Sequence, residues 1–207
     1  MNKGKLYIIS APSGAGKTSL VKRLVADLDQ LTVSVSHTTR KMRVGETHGK
    51  DYFFSTVDDF KKMIAKNAFL EHAKVFDNYY GTAQQSVEYY LDNGIDVILE
   101  IDWQGAQQVR KMLPDCLSIF ILPPSIEVLQ QRLENRGQDS KEIIDRRMQD
   151  AVQEMSHCDE FNYLIVNDNF DQALAELRGV VVSHRLEIQR QLKQLAPLLE
   201  RLIKSEG

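Results

Sequence analysis

The sequence predicts an α/β protein built on a central, mostly parallel sheet with helices on both faces. Short apolar runs alternate along the chain with stretches whose apolar residues recur at helical spacing, and this alternation is typical of a parallel sheet. The runs at 95–101 and 117–122 are almost entirely apolar, as expected of strands buried on both faces. The length of 207 residues suits one domain with insertions better than two independent domains.

The first third of the chain opens like a β-α-β unit. Residues 5–10 contain a short apolar, partly β-branched run, a glycine-containing loop follows, and leucines then recur at every fourth position through a predicted helix at 17–28. A second strand is predicted at 33–36. The polar, arginine-containing stretch 38–50 favours a loop or short hairpins.

The rest of the chain continues the alternation with two interruptions. Helices are predicted at 57–67, 104–112, 125–136 and from about 141 onward, and strands at 95–101, 117–122 and 163–166. Residues 37–82 and the arginine-rich connection near 132–147 do not fit this rhythm. Insertions at the C-terminal ends of parallel strands are where ligands bind, so we expect the functional site there.

Charge and composition argue against several functional classes. The formal net charge of −3 gives no basic excess of the kind that nucleic acid or acidic membranes attract. Cys116 and Cys158 lie far apart without a partner motif, which favours free thiols in a reducing compartment. Near the N-terminus only residues 6–9 are apolar, too few for a signal-peptide core or a membrane span, so a cytoplasmic location is expected.

The loop after the first strand matches a phosphate-binding motif at all but one position. It consists of Ala11, Pro12, Ser13, Gly14, Ala15, Gly16, Lys17 and Thr18, with alanine in place of the first glycine of G-x-x-x-x-G-K-[ST]. The two glycines permit positive φ, so backbone N–H groups can surround phosphate oxygens at the N-terminus of the following helix. Lys17 is predicted to reach the β- and γ-phosphates of a nucleoside triphosphate, and the Thr18 hydroxyl suits Mg²⁺.

Five further segments resemble the guanylate kinase family, in the right order along residues 5–185. They are SVSHTTRKMRVGE at 34–46, GKDYFF at 49–54, NYYGT at 78–82, ILEIDWQG at 98–105 and IVND at 165–168. The resemblance implies a nucleoside monophosphate kinase fold with a phosphate loop, a GMP-binding insertion and a lid. The expected division is a core of 1–35, 83–125 and 148–207, an insertion at 36–82 and a lid at 126–147.

The resemblance also implies how GMP is bound. Arg40 and Arg43, with the hydroxyls of Tyr52 and Tyr80, would hold its phosphate, because planar guanidinium groups bind phosphate oxygens bidentately. Glu71 would select guanine, since a carboxylate can accept hydrogen bonds from both N1–H and the 2-amino group, and adenine lacks that pair of donors. The remaining residues expected at GMP are Ser36, Gly81, Thr82 and Glu100.

The resemblance further assigns residues to ATP, the metal ion and the lid. Asp102 is expected to hold the hydration shell of Mg²⁺ together with Thr18, although the separate roles of Glu100 and Asp102 stay open. Arg132 would lie against adenine and Asn167 would contact its edge. Arg136 and Arg147 would approach the transferring group. Two departures from the family pattern, Met42 and the pair at 157–158, involve none of these residues.

The implied activity is ATP-dependent phosphorylation of GMP, and of dGMP, to the diphosphate. Because the attacking phosphate is already an anion, no general base is needed. Two alternatives are an inactive interaction module, which would typically have a degraded phosphate loop, and a kinase for another phosphorylated metabolite. Leucines in the tail, residues 188–202, recur three and four apart, and packing on the chain's own core is expected of them.

Overall fold

A computed structural model describes residues 3–75, 77–135 and 141–204. The strands are β1 Leu6–Ser10, β2 Leu31–Val33, β3 His37–Thr38, β4 Phe53–Phe54, β5 Phe69–Val75, β6 Asn78–Ala83, β7 Asp96–Glu100, β8 Leu117–Leu122 and β9 Tyr163–Val166. The helices are α1 Lys17–Asp27, α2 Val57–Ala65, α3 Gln84–Asp92, α4 Trp103–Met112, α5 Ile126–Glu134, α6 Lys141–Met155, α7 Phe170–Arg185, α8 Ile188–Gln194 and α9 Ala196–Lys204.

The central sheet is parallel and has the strand order β2-β7-β1-β8-β9. Its middle strand β1 is fully buried between β7 and β8, which explains why residues 5–10 are apolar without alternation. The predicted fold class is therefore confirmed. Because all five strands run the same way, their C-terminal ends meet along one edge of the sheet.

One apolar cluster covers each face of the central sheet. On one face, Leu20 and Leu24 of α1 pack with Leu177 and Val181 of α7 against inward residues of β1 and β8. On the other face, the fully buried Val109 of α4 packs in a second cluster with residues of β7 and α3. Helices on both faces are what the sequence predicts for these strands.

A second sheet has the order β4-β3-β6-β5 and is mainly antiparallel. It lies within the stretch that does not fit the β-α-β rhythm. The strands β5 and β6 and the helix α3 were not predicted from the sequence. Glu71 and Thr82 are buried on one face of β5 and β6 although they are polar, so the alternation of buried apolar and exposed polar residues that indicates a strand is interrupted there.

The second strand begins two residues earlier in the chain than the predicted range of 33–36. The strand β2 covers Leu31–Val33 and forms an edge of the central sheet, where only Leu31 is buried. The Ser34 N–H still donates to the Ile98 carbonyl at 2.9 Å, so the chain follows β7 for one residue beyond the strand. Side chains on an edge strand contribute little to the core, and their apolar pattern is correspondingly weak.

The prediction for the tail was wrong. Ile188 is 66% exposed and Leu202 63% exposed, so the leucine-rich stripe does not pack on the core. Polar contacts attach α8 instead: Arg190 pairs with the buried carboxylate of Asp96, and the Gln191 amide donates to the Arg185 carbonyl. The stripe also spans two short helices that are separated at Leu195, so its residues do not share one continuous helix face.

Candidate functional site

A cavity of about 370 Å³ opens at the C-terminal edge of the central sheet, between it and the second sheet. The phosphate loop contributes Ala11, Pro12, Ser13, Gly14, Gly16, Lys17 and Thr18 to its walls, and the second sheet and its loops contribute Ser36, Tyr52, Glu71 and Tyr80. Glu100, Asp102 and Glu154 complete the polar lining. The structure therefore brings residues predicted for ATP and for GMP into one cleft.

The phosphate loop depends on left-handed backbone at two glycines. Gly14 and Gly16 both have φ of +95°, which residues with a Cβ rarely adopt, and Gly16 precedes the first turn of α1. Ala11, which stands where the motif has its first glycine, is not among the positive-φ residues. Alanine is compatible with this position because the backbone there requires no glycine.

Asn167 and Arg132 hold the phosphate loop from outside. The buried Asn167 amide donates to the Ala15 carbonyl at 2.7 Å, and a Cβ at Gly16 would lie only 2.3 Å from the amide nitrogen. Arg132 on α5 donates to the Ala15 carbonyl at 3.5 Å and to the Asn167 carbonyl, outside the loop, at 3.0 Å. These contacts to the loop backbone were not predicted, and the signal for them is the tight packing that Gly16 permits.

The two carboxylates at the C-terminal end of β7, Glu100 in the strand and Asp102 just after it, have different partners. The Thr18 hydroxyl donates to Glu100 at 3.0 Å, whereas Asp102 accepts from the Gly105 N–H at 2.8 Å and caps the N-terminus of α4. Both carboxylates line the cavity. Glu100 is therefore the one in direct contact with the loop residue predicted to bind a metal ion.

Glu71 is a buried carboxylate on the opposite wall. It is 4% exposed, and the Thr82 hydroxyl donates to its Oε1 at 2.6 Å across the β5–β6 pair. Burial raises the pKa of Glu71 to about 7, with a smaller contribution from the negative charge of Asp102. Because Glu71 also lines the cavity, its carboxylate can accept hydrogen bonds from a ligand that offers donors there.

The two arginines predicted for the GMP phosphate lie in the loop after β3, and one acid joins them. Arg40 pairs with Glu46 through both terminal nitrogens, at 2.7 and 3.0 Å, and lies over the Tyr52 ring at 5.4 Å. The Arg43 N–H donates to the same carboxylate at 2.7 Å. The hydrogen bond to Glu46 raises the pKa of Arg40. Neither arginine lines the cavity as described, although Tyr52 and Tyr80 beside them do.

The lid region is described only in part. Arg147 lies on α6, and Arg136 falls outside the described residues. Glu154 lies two turns beyond Arg147 on the same helix and reaches the cavity, which the sequence did not suggest because a lone Glu on a helix is usually solvated. Burial raises the pKa of Glu154 to about 7, against the lowering effect of the Lys17 ammonium.

The end of α6 is attached to the start of α4 by aromatic stacking. The His157 ring stacks on Trp103 with centroids 3.6 Å apart, and His157 also contacts Glu160 at 2.7 Å. The pair at 157–158 that departs from the family pattern thus anchors the helix that carries Arg147. Met42, the other departure, is exposed.

The described residues, 3–75, 77–135 and 141–204, lack two structural features. They contain no group of three or more His, Cys, Asp or Glu side chains arranged to hold a metal ion. They also contain no helix with the length and apolar character needed to cross a membrane.

Comparison with known proteins agrees with this geometry. A family model described as "Guanylate kinase" matches residues 3–184. The guanylate kinase of Methylococcus capsulatus is 58% identical over 203 residues, which cover 98% of this chain and 100% of that one. The guanylate kinase of Escherichia coli K12 is 54% identical over 205 residues, covering 98% and 99% of the two chains.

A solved structure extends the agreement to three dimensions. The crystal structure of guanylate kinase from Anaplasma phagocytophilum superposes with a TM-score of 0.77 at 31% identity, covering 100% of this chain and 98% of that one. The match of family model, sequence and fold over nearly the whole length leads to one conclusion. This chain belongs to the guanylate kinase family.

Proposed function

We propose that the cleft binds ATP on the phosphate-loop wall and GMP on the second-sheet wall, and transfers the γ-phosphoryl group between them. As a guanylate kinase, the protein converts ATP and GMP into ADP and GDP. The observation that carries the proposal is the presence of Lys17 and the buried Glu71 on facing walls of a single cavity. We include dGMP as an acceptor, because none of the proposed contacts requires the 2′-hydroxyl.

On the ATP side, backbone N–H groups of the loop and the Lys17 ammonium surround the phosphates. Asn167 and Arg132 fix the loop through the Ala15 and Asn167 carbonyls, so the donors are oriented before ATP arrives. We also assign these two side chains to the adenine subsite, since both lie immediately beside the loop.

On the GMP side, Glu71 accepts two hydrogen bonds from guanine, and Ser36 and Thr82 add hydroxyl contacts. The phosphate is held by Arg40, Arg43, Tyr52 and Tyr80. Gly81 lies between Tyr80 and Thr82 on β6. When GMP binds, its phosphate competes with Glu46 for Arg40, which exchanges one charge-assisted pair for another.

The residues present fit Mg²⁺ carried by the ATP phosphates. The Thr18 hydroxyl and the Glu100 carboxylate are in contact, Asp102 faces the same cavity, and all three offer the hard oxygen ligands that Mg²⁺ prefers. We assign Thr18 to direct coordination and the two carboxylates to contacts through water. Bound Mg²⁺ supplies positive charge that offsets the charge on the transferring phosphoryl group.

Catalysis consists of alignment and charge neutralisation. The attacking oxygen belongs to a phosphate that is already ionised, so no side chain has to remove a proton. Lys17, Arg136 and Arg147 offset charge on the γ-phosphoryl group, while Arg40 and Arg43 hold the acceptor in line. The division into core (1–35, 83–125 and 148–207), GMP-binding insertion (36–82) and lid (126–147) belongs to this proposal, with closure of the last two excluding water.

A substrate panel tests the proposal. Rates of ADP formation are measured with GMP, dGMP, AMP, CMP and UMP as acceptors, with Mg²⁺ present and then chelated. GMP and dGMP are expected to react, the others at least about 100-fold more slowly, and chelation is expected to stop the reaction. Rapid phosphorylation of AMP or of a pyrimidine nucleotide would contradict the assignment of Glu71.

The proposal extends to partners and location. We infer that the protein works on small-molecule nucleotides in the cytoplasm, with no role for nucleic acid or membrane, in keeping with its net charge of −3. Nothing in the cleft favours an interaction module, because the lysine, the threonine and both glycines of the loop line the cavity.

A further inference from the structure

The strand β5 is attached to the core by the two residues on either side of Glu71, which are Leu70 and His72. β5 is the open edge of the second sheet, so half of its backbone groups point away from β6. Leu70, which precedes Glu71, belongs to the core cluster that contains Ala106 and Val109 of α4. His72, which follows Glu71, also contacts α4, through its backbone.

The hydrogen bonds at His72 resemble those that a further strand would make along the free edge of β5. The His72 N–H donates to Gln108 Oε1 at 3.1 Å, and Gln108 Nε2 donates back to the His72 carbonyl at 3.0 Å. A single carboxamide thus satisfies both outward-facing backbone groups of one residue at the sheet edge.

The same face of α4 also touches the Glu71 side chain. Gly105, one turn before Gln108, is buried, and a Cβ placed on it would lie 2.8 Å from Glu71 Oε2. Thr82 binds the other carboxylate oxygen at 2.6 Å. The carboxylate is therefore confined between a hydroxyl on β6 and a glycine on α4, and the glycine leaves room for it.

We propose that Gln108 and Gly105 are specificity-determining positioning residues, which fix the backbone and the carboxylate of Glu71 for guanine from outside the nucleotide pocket. The inference rests on the proposed role of Glu71 as the group that selects guanine. Neither residue touches GMP. They act through Glu71, and a bidentate hydrogen bond tolerates little displacement of its acceptor.

The test compares Gln108→Met with Gln107→Ala as its matched control. Methionine keeps the length and helix propensity of glutamine but removes both hydrogen bonds to His72. Gln107 precedes Gln108 on α4, and its amide makes two hydrogen bonds, at 2.9 and 3.1 Å, to Glu160, which lies outside β5. Both variants lose a half-buried carboxamide, so a general loss of stability affects them alike.

The expected result separates positioning from packing. Gln108→Met raises the KM for GMP about 5- to 50-fold and lowers the GMP-to-AMP ratio of kcat/KM, because two hydrogen bonds beside Glu71 are lost. The KM for ATP stays within about twofold of that of the parent, and Gln107→Ala changes neither constant. If Gln108→Met melts earlier but keeps its KM for GMP, Gln108 is only structural and the proposal is wrong.

Gly105→Ala provides a second measurement in case Gln108→Met does not fold. It removes no hydrogen bond and adds one methyl group against Glu71 Oε2, so it is expected to raise the KM for GMP while the KM for ATP stays unchanged. An unchanged KM for GMP in this variant would also overturn the proposal.

A double-mutant comparison distinguishes this proposal from the role of Glu71 itself. In a Glu71→Gln background, Gln108→Met should cause no further loss of GMP preference, because both changes act on the same contact. If Glu71→Gln keeps the preference for GMP, the role of Glu71 is wrong. If Glu71→Gln loses the preference and both α4 variants retain it, only the present inference fails.

Discussion

The two walls of the cleft are built in different ways. The phosphate-loop wall comes from one continuous segment, 11–18, and side chains from elsewhere, among them Asn167, Arg132 and Glu100, contact it. The opposite wall depends on side chains from β5, from β6 and from the segments before and after β3, with α4 behind it. A local motif thus forms one wall, and long-range packing forms the other.

This difference predicts different responses to mutation. Substitutions in the loop remove charge or backbone donors directly, so they should affect the rate of transfer. Substitutions on the second wall should affect the recognition and affinity of GMP, because that wall is assembled from residues far apart in the sequence.

The largest effect is expected from Lys17→Ala. Loss of the ammonium leaves charge on the transferring phosphoryl group without its partner, so kcat should fall at least about 100-fold. The KM for GMP should change little, since Lys17 belongs to the other wall. The measurement is steady-state kinetics with both substrates varied. Lys22→Ala, an exposed lysine on the same helix, is the control, and a Lys17→Ala enzyme with near-normal kcat would contradict the comparison.

The next effect concerns the pH dependence of GMP binding. Burial raises the pKa of Glu71 to about 7, so the ionised form that accepts both guanine donors is lost as the pH falls below 7. The KM for GMP is expected to rise about tenfold per pH unit well below this value, in assays between about pH 5.5 and 8.5. Glu71→Gln should abolish this part of the dependence and leave the part due to the GMP phosphate.

The raised pKa of Glu71 also makes the free energy of unfolding depend on pH. A carboxyl group whose pKa is higher in the folded than in the unfolded protein favours folding at low pH, and this contribution is lost as the pH rises through about 7. Glu71→Gln is therefore expected to raise the free energy of unfolding at pH 8 by about 1–3 kcal/mol. Urea unfolding at pH 5 and pH 8 checks this, and a variant that is less stable at pH 8 would refute it.

The smallest effect is expected from Asn167→Ala. It removes the hydrogen bond to the Ala15 carbonyl, so the KM for ATP should rise about 3- to 10-fold and stability should fall by about 1–2 kcal/mol. Asn169→Ala is the matched control, because it removes the N-cap of α7, a loss of about 1 kcal/mol, without touching the loop. An equal change in the KM for ATP in both variants would mean that Asn167 acts only through stability.

The sequence predicted the first wall better than the second for a physical reason. The phosphate loop has its own local pattern, and β8, a strand buried on both faces, was predicted to the residue. The bounds of β9 were also predicted, from its apolar residues, although β9 is an edge strand and only Ile165 in it is buried. The strands β5 and β6 were missed because their buried face holds Glu71 and Thr82, polar groups that face a ligand site. Burial of polar residues at a functional site removes the signal from which strands are predicted.

The contacts between elements could not be predicted from any local pattern. Gly105 and Gln108 look like ordinary positions of an amphipathic helix, and only the packing of α4 against β5 gives them a role. The placement of Glu154 depends in the same way on the direction in which α6 returns to the core.

The raised pKa values of Glu71 and Glu154 also reduce the negative charge that an approaching nucleotide meets in the cleft. Four carboxyl groups line it, at Glu71, Glu100, Asp102 and Glu154, and full ionisation would repel both polyanionic substrates. With two of the four pKa values at about 7, a substantial fraction of that negative charge is neutralised by protons at neutral pH. The electrostatic barrier to entry is lowered. On the proposed binding of guanine, its N1–H and 2-amino donors favour the ionised form of Glu71, so that carboxyl group then loses its proton.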